Sequence, residues 1–140
     1  MRHSFARAIW WVLAPVCAAN WVAAAEMQVI RGTLTVTPDL AHNIGPNDRL
    51  IIKLYHPENG VEMDAKYQIV PSFSLPFAFL AAPSIDMNAQ TKYDAYVLEL
   101  FTDKNADVLG TAPGELIART PAPVPLGTRD LRLELNATRE

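Results

Sequence analysis

Beyond residue 25 the chain repeats with a period of two, and no stretch sustains a helical period over three turns. That alternation confines it to strands, because successive side chains of a strand point to opposite faces. Val29 to Thr37 is the clearest case. Ile30, Gly32, Leu34 and Val36 fall on one side; Val29, Arg31, Thr33 and Thr35 fall on the other. Pro38 ends the run, since proline cannot donate to a ladder. Residues 38–48 read as a loop with Gly45-Pro46-Asn47-Asp48 as its turn. Arg49 to Tyr55 is a second strand with Leu50, Ile52 and Leu54 on one face. Asn59-Gly60 then gives a hairpin turn, because both residues tolerate positive φ. Met63 to Val70 is the expected return strand.

Pro71 and Pro76 bracket the next apolar segment. Phe73, Leu75, Phe77 and Phe79 recur at every second position and predict a core-facing stripe, since a soluble domain rarely leaves such a stripe wet. Tyr93 to Phe101 is a further strand, with Ala95, Val97 and Glu99 opposing Tyr96, Leu98 and Leu100. Asp103-Lys104-Asn105 turns it into a short strand expected around Asp107 to Thr111. The proline-rich Thr120 to Gly127 reads as extended and irregular. Asp130 to Leu135 is the last strand, with Leu131, Leu133 and Leu135 inward. About seven strands, with turn signals every eight to twelve residues, predict a small antiparallel β-sandwich.

The first 25 residues differ. They hold all three tryptophans (Trp10, Trp11, Trp21), the only cysteine (Cys17) and no acid. Arg2, His3 and Arg7 make a basic start, Ala8 to Ala19 is uncharged and largely apolar, and Ala23-Ala24-Ala25 supplies small residues for cleavage. This is the pattern of a secretory signal peptide. It predicts a leader over 1–25, cleavage near Ala25/Glu26, and a single exported domain over 26–140, placed in the periplasm. A retained amino-terminal anchor is the alternative. Ala14-Pro15-Val16 lacks the small residue that lipoprotein processing wants beside Cys17.

Of the 12 Lys and Arg residues, Arg2 and Arg7 lie in the leader. Ten remain against 15 acids, so the net charge moves from −3 to −5 without it. An acidic surface argues against nucleic acid, whose phosphates are held by Lys and Arg. Residues 26–140 contain no cysteine. Thiol catalysis and disulfides are therefore excluded there, and a hydrophobic core must hold the domain together.

No catalytic, cofactor-binding or metal-binding residue is singled out. His42 and His56 stand in or beside loops, away from other strong ligands. Met27, Met63 and Met87, with these histidines, are soft donors that suit Cu(I), but they are scattered singly; copper binding is the lesser alternative. Glu62 with Asp64, and Asp103 with Asp107, are carboxylate pairs flanking turns, where acids usually solvate the loop. Asn136-Ala137-Thr138 matches a glycosylation sequon. The expectation is a non-enzymatic domain without cofactor that binds a protein partner. Strand edges or a patch drawn from Tyr55, Tyr67, Tyr93 and Tyr96 would make the contact.

Several motifs occur in a familiar order. Gly32-Thr33-Leu34-Thr35-Val36 precedes Pro38-Asp39-Leu40-Ala41 and Pro46-Asn47-Asp48-Arg49-Leu50. Pro71-Ser72-Phe73-Ser74-Leu75-Pro76-Phe77 follows, then Gly114-Glu115-Leu116 and Ala122-Pro123-Val124-Pro125-Leu126-Gly127. Over residues 29–135 this resembles the periplasmic carboxy-terminal domain of the c-type cytochrome biogenesis proteins CcmI and CycH. The resemblance implies a chaperone-like assembly factor that binds an apocytochrome or a maturation partner. That family's helical repeat domain has no counterpart in this sequence. Leu54-Tyr55 and Glu99-Leu100 also stand where the family often has Ala-Arg pairs. The opening Gly32 to Val36 strand and Leu75-Pro76-Phe77 are similar as well to small secretion-pilot lipoproteins of the bacterial envelope. That similarity implies a general envelope accessory role.

Overall fold

The structure is a computed structural model, and it describes residues 28–140. The expected leader over 1–25, with Cys17 and the three tryptophans, lies outside the described residues, as does Met27. Among the described residues no helix is long and apolar enough to cross a membrane.

Two sheets face each other across one core. The three-stranded sheet has the order β4-β1-β8, built from β1 (Ile30–Val36), β4 (Phe77–Ala81) and β8 (Leu131–Leu135). The six-stranded sheet has the order β3-β2-β5-β6-β9. Its members are β2 (Arg49–Tyr55), β3 (Gln68–Val70), β5 (Ala95–Asp103), β6 (Leu116–Arg119) and β9 (Ala137–Thr138), while β7 (Val124–Pro125) pairs with β5. The all-β sandwich expected from the alternation is the fold observed.

The alternation places the core. Ile30 and Leu34 of β1, Leu50, Ile52 and Leu54 of β2, and Tyr96, Leu98 and Leu100 of β5 are all buried within it. Phe79 is buried there too, while Phe73, Leu75 and Phe77 are half-buried against it. Gly32 stands among these inward residues for a steric reason. A Cβ there would lie 2.4 Å from the Leu131 carbonyl oxygen and 2.6 Å from the Phe79 ring. The glycine lets that ring lie against the strand backbone.

Several expectations are corrected. The return strand predicted over Met63 to Val70 is only three residues long as β3. Met63 makes an isolated bridge to Tyr55, and the register slips by two residues before β3 begins. No strand forms at Asp107 to Thr111. Asn105 and Asp107 fold that segment instead, each accepting a backbone N–H two residues on through its side-chain oxygen. Val108 then tucks beneath the loop. Loop 38–48 contains a 3₁₀ helix over Pro38–Asn43. The strand read as Tyr93 to Phe101 runs from Ala95 to Asp103.

β6 and β9 are additional to the strands read from the sequence, and β7 orders part of the proline-rich stretch. Thr hydroxyls complete the ladder at both ends of β6: Thr102 accepts the Leu116 N–H and Thr120 accepts the Leu98 N–H. One pairing is parallel, between β1 and β8, the first and last of the long strands; the others are antiparallel.

Replacing Gly32 with alanine forces the Cβ into backbone and ring at once, so relief requires β1 and β8 to separate. Gly32→Ala is expected to cost about 3 kcal/mol, the upper end for overpacking, measured by equilibrium denaturation of the folded protein.

Candidate functional site

The outward face of the six-stranded sheet is a set of cross-strand rows. Register places Ile69, Ile51, Phe101, Ile117 and Ala137 side by side across five strands. Ile51, Phe101 and Val108 are buried as a second, smaller core with Ile117 against it. The next row is Lys53, Glu99 and Arg119. Glu99 accepts from Arg119 at 3.0 Å and from the Tyr55 hydroxyl at 3.2 Å. Arg119 also lies over the Tyr55 ring, 4.7 Å from its centre, and donates to the Gly60 carbonyl. Lys53 is buried, with its ammonium 5.1 Å from the centre of the Phe101 ring.

Arg139 closes this face. Its guanidinium is 3.8 Å from the centre of the Phe101 ring and 3.2 Å from Glu115. It also donates to the carbonyls of Gly110 and Val108. Glu115 is fully buried and accepts the N–H groups of Lys104 and Ala112 as well. Arg49 pairs with Asp103, and Lys104 with Asp48. These charges hold loops onto the sheet; each has a structural partner.

The sequence-level candidates are not brought together. His42 is exposed on the 3₁₀ helix, and His56 is buried at the other end of β2. The His56 ring lies 4.8 Å from the Tyr93 ring, and its Nδ1 is 3.2 Å from Glu62. Met63 is half-buried and Met87 fully exposed. Among the described residues no three His, Cys, Asp or Glu side chains group as a metal site. Asp64 is buried and accepts the Ser84 N–H at 2.7 Å. The tyrosines do not form one patch: Tyr96 is in the core, Tyr93 packs edge-on against it, Tyr55 lies under Arg119, and Tyr67 is exposed. An open groove of ≈ 700 Å³ beside β7 has Asp94 as its one ionisable lining residue among the described residues.

The feature that sequence reasoning missed is a seam where the two sheets stay open. β3 and β4 are edge strands on the same side of the sandwich, and Gln68 bridges them. Its Nε2 donates to the Leu80 carbonyl at 2.9 Å, and its Oε1 accepts the Ala82 N–H at 2.9 Å. Those groups therefore point away from β1, and by the period of the ladder so do the N–H and C=O of Ala78. On β3 the free residue is Ile69. Asp64 donates to the Leu54 carbonyl, which fixes Leu50 and Ile52 as the residues that bond toward β3 and leaves Ile69 facing out. Ile69 and Leu80 are 45% and 36% exposed, and half-buried Val70, Phe73 and Phe77 line the seam. Residues 71–76 carry the chain from β3 to β4 and close one end of the seam, Gln68 bridges the other, and on the opposite flank the chain passes between the sheets from β8 to β9.

Burial lowers the pKa of Lys53 from its ordinary value near 10.5, opposed by Glu99 and reinforced by Arg139. Burial raises Tyr55, with Glu99 adding to the rise, and burial also raises Tyr96. The signs oppose. Folded Tyr55 and Tyr96 keep their protons past the unfolded value near 10, so their contribution is complete below it and drains away as pH rises beyond it. Folded Lys53 sheds its proton early, so its penalty lifts as pH rises toward 10.5. Lys53→Met is therefore expected to raise Tm by a few degrees at neutral pH and to steepen the fall in stability between about pH 9 and 11. Tyr55→Phe should flatten that fall. Melting curves across the range check both. Arg139→Ala strands the Glu115 carboxylate and is expected to cost about 3 kcal/mol in urea denaturation.

No protein-family model matches the chain, and no curated protein does. Among solved structures, an alternative pilotin from the type II secretion system of Vibrio cholerae aligns with a TM-score of 0.49 and 15% identity. The alignment covers 81% of this chain and 98% of that one.

Proposed function

We propose that residues 26–140 act as a non-enzymatic binding and assembly module of the cell envelope, exported by the leader, that engages a protein partner through the β3/β4 seam. The observation that carries this reading is the composition of β4. Phe77-Ala78-Phe79-Leu80-Ala81 is an edge strand without a single charged or polar side chain. Sheet proteins usually blunt such edges with lysine, with proline or with a covering segment. Here Pro76 and Pro83 flank the strand and Gln68 covers one end, which leaves Ala78 and the half-buried aromatics at the surface. A partner that buries them gains apolar area at about 25 cal/mol per Å².

Two kinds of client fit the motifs. The motif order along residues 29–135 supports an apocytochrome or cytochrome maturation component. Gly32 to Val36 and Leu75-Pro76-Phe77 support an outer-membrane secretion component, and these two pieces lie in β1 and at the entry to β4, beside the seam.

The test is affinity capture of the protein, exported from its own leader with a carboxy-terminal tag, alongside a Leu80→Lys variant. Wild type is expected to retain an envelope assembly component that the variant, equally folded, loses. Recovery of cytochrome maturation proteins selects the first client, and recovery of secretion components the second. Capture of nothing, or equal capture by both proteins, removes the seam as a binding site.

A further inference from the structure

We infer that β4 is a strand-acceptor site, and that the Gln68 carboxamide is a placeholder for one residue of an extended partner segment. The inference rests on the binding role proposed above and specifies its chemistry. The Gln68 amide donates to the carbonyl of Leu80 and accepts from the N–H of Ala82. One residue of a parallel neighbouring strand supplies the same pair of bonds, to positions two apart. The edge is therefore already engaged by a group that imitates main chain. The side chain making it is easily released, since water can satisfy all four groups once the amide swings away.

Three further features fit an added strand. The N–H and C=O of Ala78 and the N–H of Leu80 face the same edge, and among the described residues nothing bonds to them. Side chains pointing inward from a strand laid there would meet half-buried Val70, Phe73 and Phe77, which the core leaves incompletely covered. Outward side chains would lie beside Leu80, whose register partner on β1 is Arg31. Arg132 stands on the same face, opposite Thr33. Neither arginine forms a salt bridge with a carboxylate among the described residues. Glu134 shares the face, opposite Thr35, so its strands carry two arginines against one carboxylate in a domain with excess acid overall. The occupant is accordingly an extended protein segment, apolar on its inward side and acidic on its outward side. It adds as a fourth strand of the smaller sheet, where main-chain bonds give affinity and alternate side chains give specificity.

The experiment titrates the full domain with two synthetic octapeptides, one alternating valine with glutamate and one alternating valine with lysine, observed through backbone and side-chain amide resonances. The glutamate peptide is expected to shift Ala78, Leu80, Ala82 and the Gln68 side-chain amide. Gln68→Ala, which vacates the position, should bind it several-fold more tightly. Ala78→Pro should abolish binding without unfolding the domain, because that N–H faces solvent rather than β1. Shifts located elsewhere, binding unchanged in Ala78→Pro, or preference for the lysine peptide would each overturn the inference. If Ala78→Pro still captures the cellular partner in the affinity assay, strand addition fails while the protein-binding role stands.

Discussion

The structure depends on the pairing of β2 with β5. Seven residue pairs, from Arg49 opposite Asp103 to Tyr55 opposite Val97, run without interruption. Both strands are central, so the pairing fixes two surfaces at once. Even-numbered residues face the main core and odd-numbered residues build the outer rows. A slip of one residue would put Leu50, Ile52, Leu54, Leu98 and Leu100 outside and bring Arg49, Lys53 and Glu99 into the core. Such a slip is prohibited by the cost of burying charge without partners. Everything else in the larger sheet is registered on this pair, including the row through Phe101 that Val108 and Arg139 cover.

Interruptions in the other strands have chemical causes. β3 is short because the chain bulges after Met63, and β6 is short because it is joined to β7 through prolines. Nearby side chains take up backbone groups that the ladders leave unpaired. Thr102 and Thr120 do so for β6, and Asp64 holds the segment after β4 through Ser84. These groups are buried and bonded, so the irregular sheet leaves few polar groups without partners.

How much of this was legible follows from the range of each interaction. β1, β2, β5 and β8 were readable because each presents a one-sided alternation long enough to be unambiguous. The aromatic stripe was readable for the same reason, although only Phe79 is fully enclosed. β6 was not, because four residues carry too little pattern and their ladder bonds come from threonines elsewhere in the sequence. Val108 misled, since an apolar residue between polar ones looks like a strand and is here a plug under a loop. The seam was the least accessible feature. Whether β4 is an edge depends on strand order, and that order is set by β8 returning to β1 across about a hundred residues. Local periodicity holds no record of it. The tyrosines show the same limit: their identity suggested a surface, and their neighbours gave them four separate tasks.

The parallel pairing of β1 with β8, and the grip of Arg139 on Val108, Gly110 and Glu115, have a temporal corollary. The first strand has no neighbour on one side until residues beyond 130 arrive, and the outer apolar row stays uncovered until position 139 is in place. A polypeptide delivered amino end first must therefore wait, open along β1, while the rest emerges. Long-range closure of this kind slows folding relative to local pairing. During that interval the β1/β4 pair is open on both edges, at β1 and at the uncharged β4, so the stage of greatest adhesiveness belongs to the incomplete chain rather than to the finished domain.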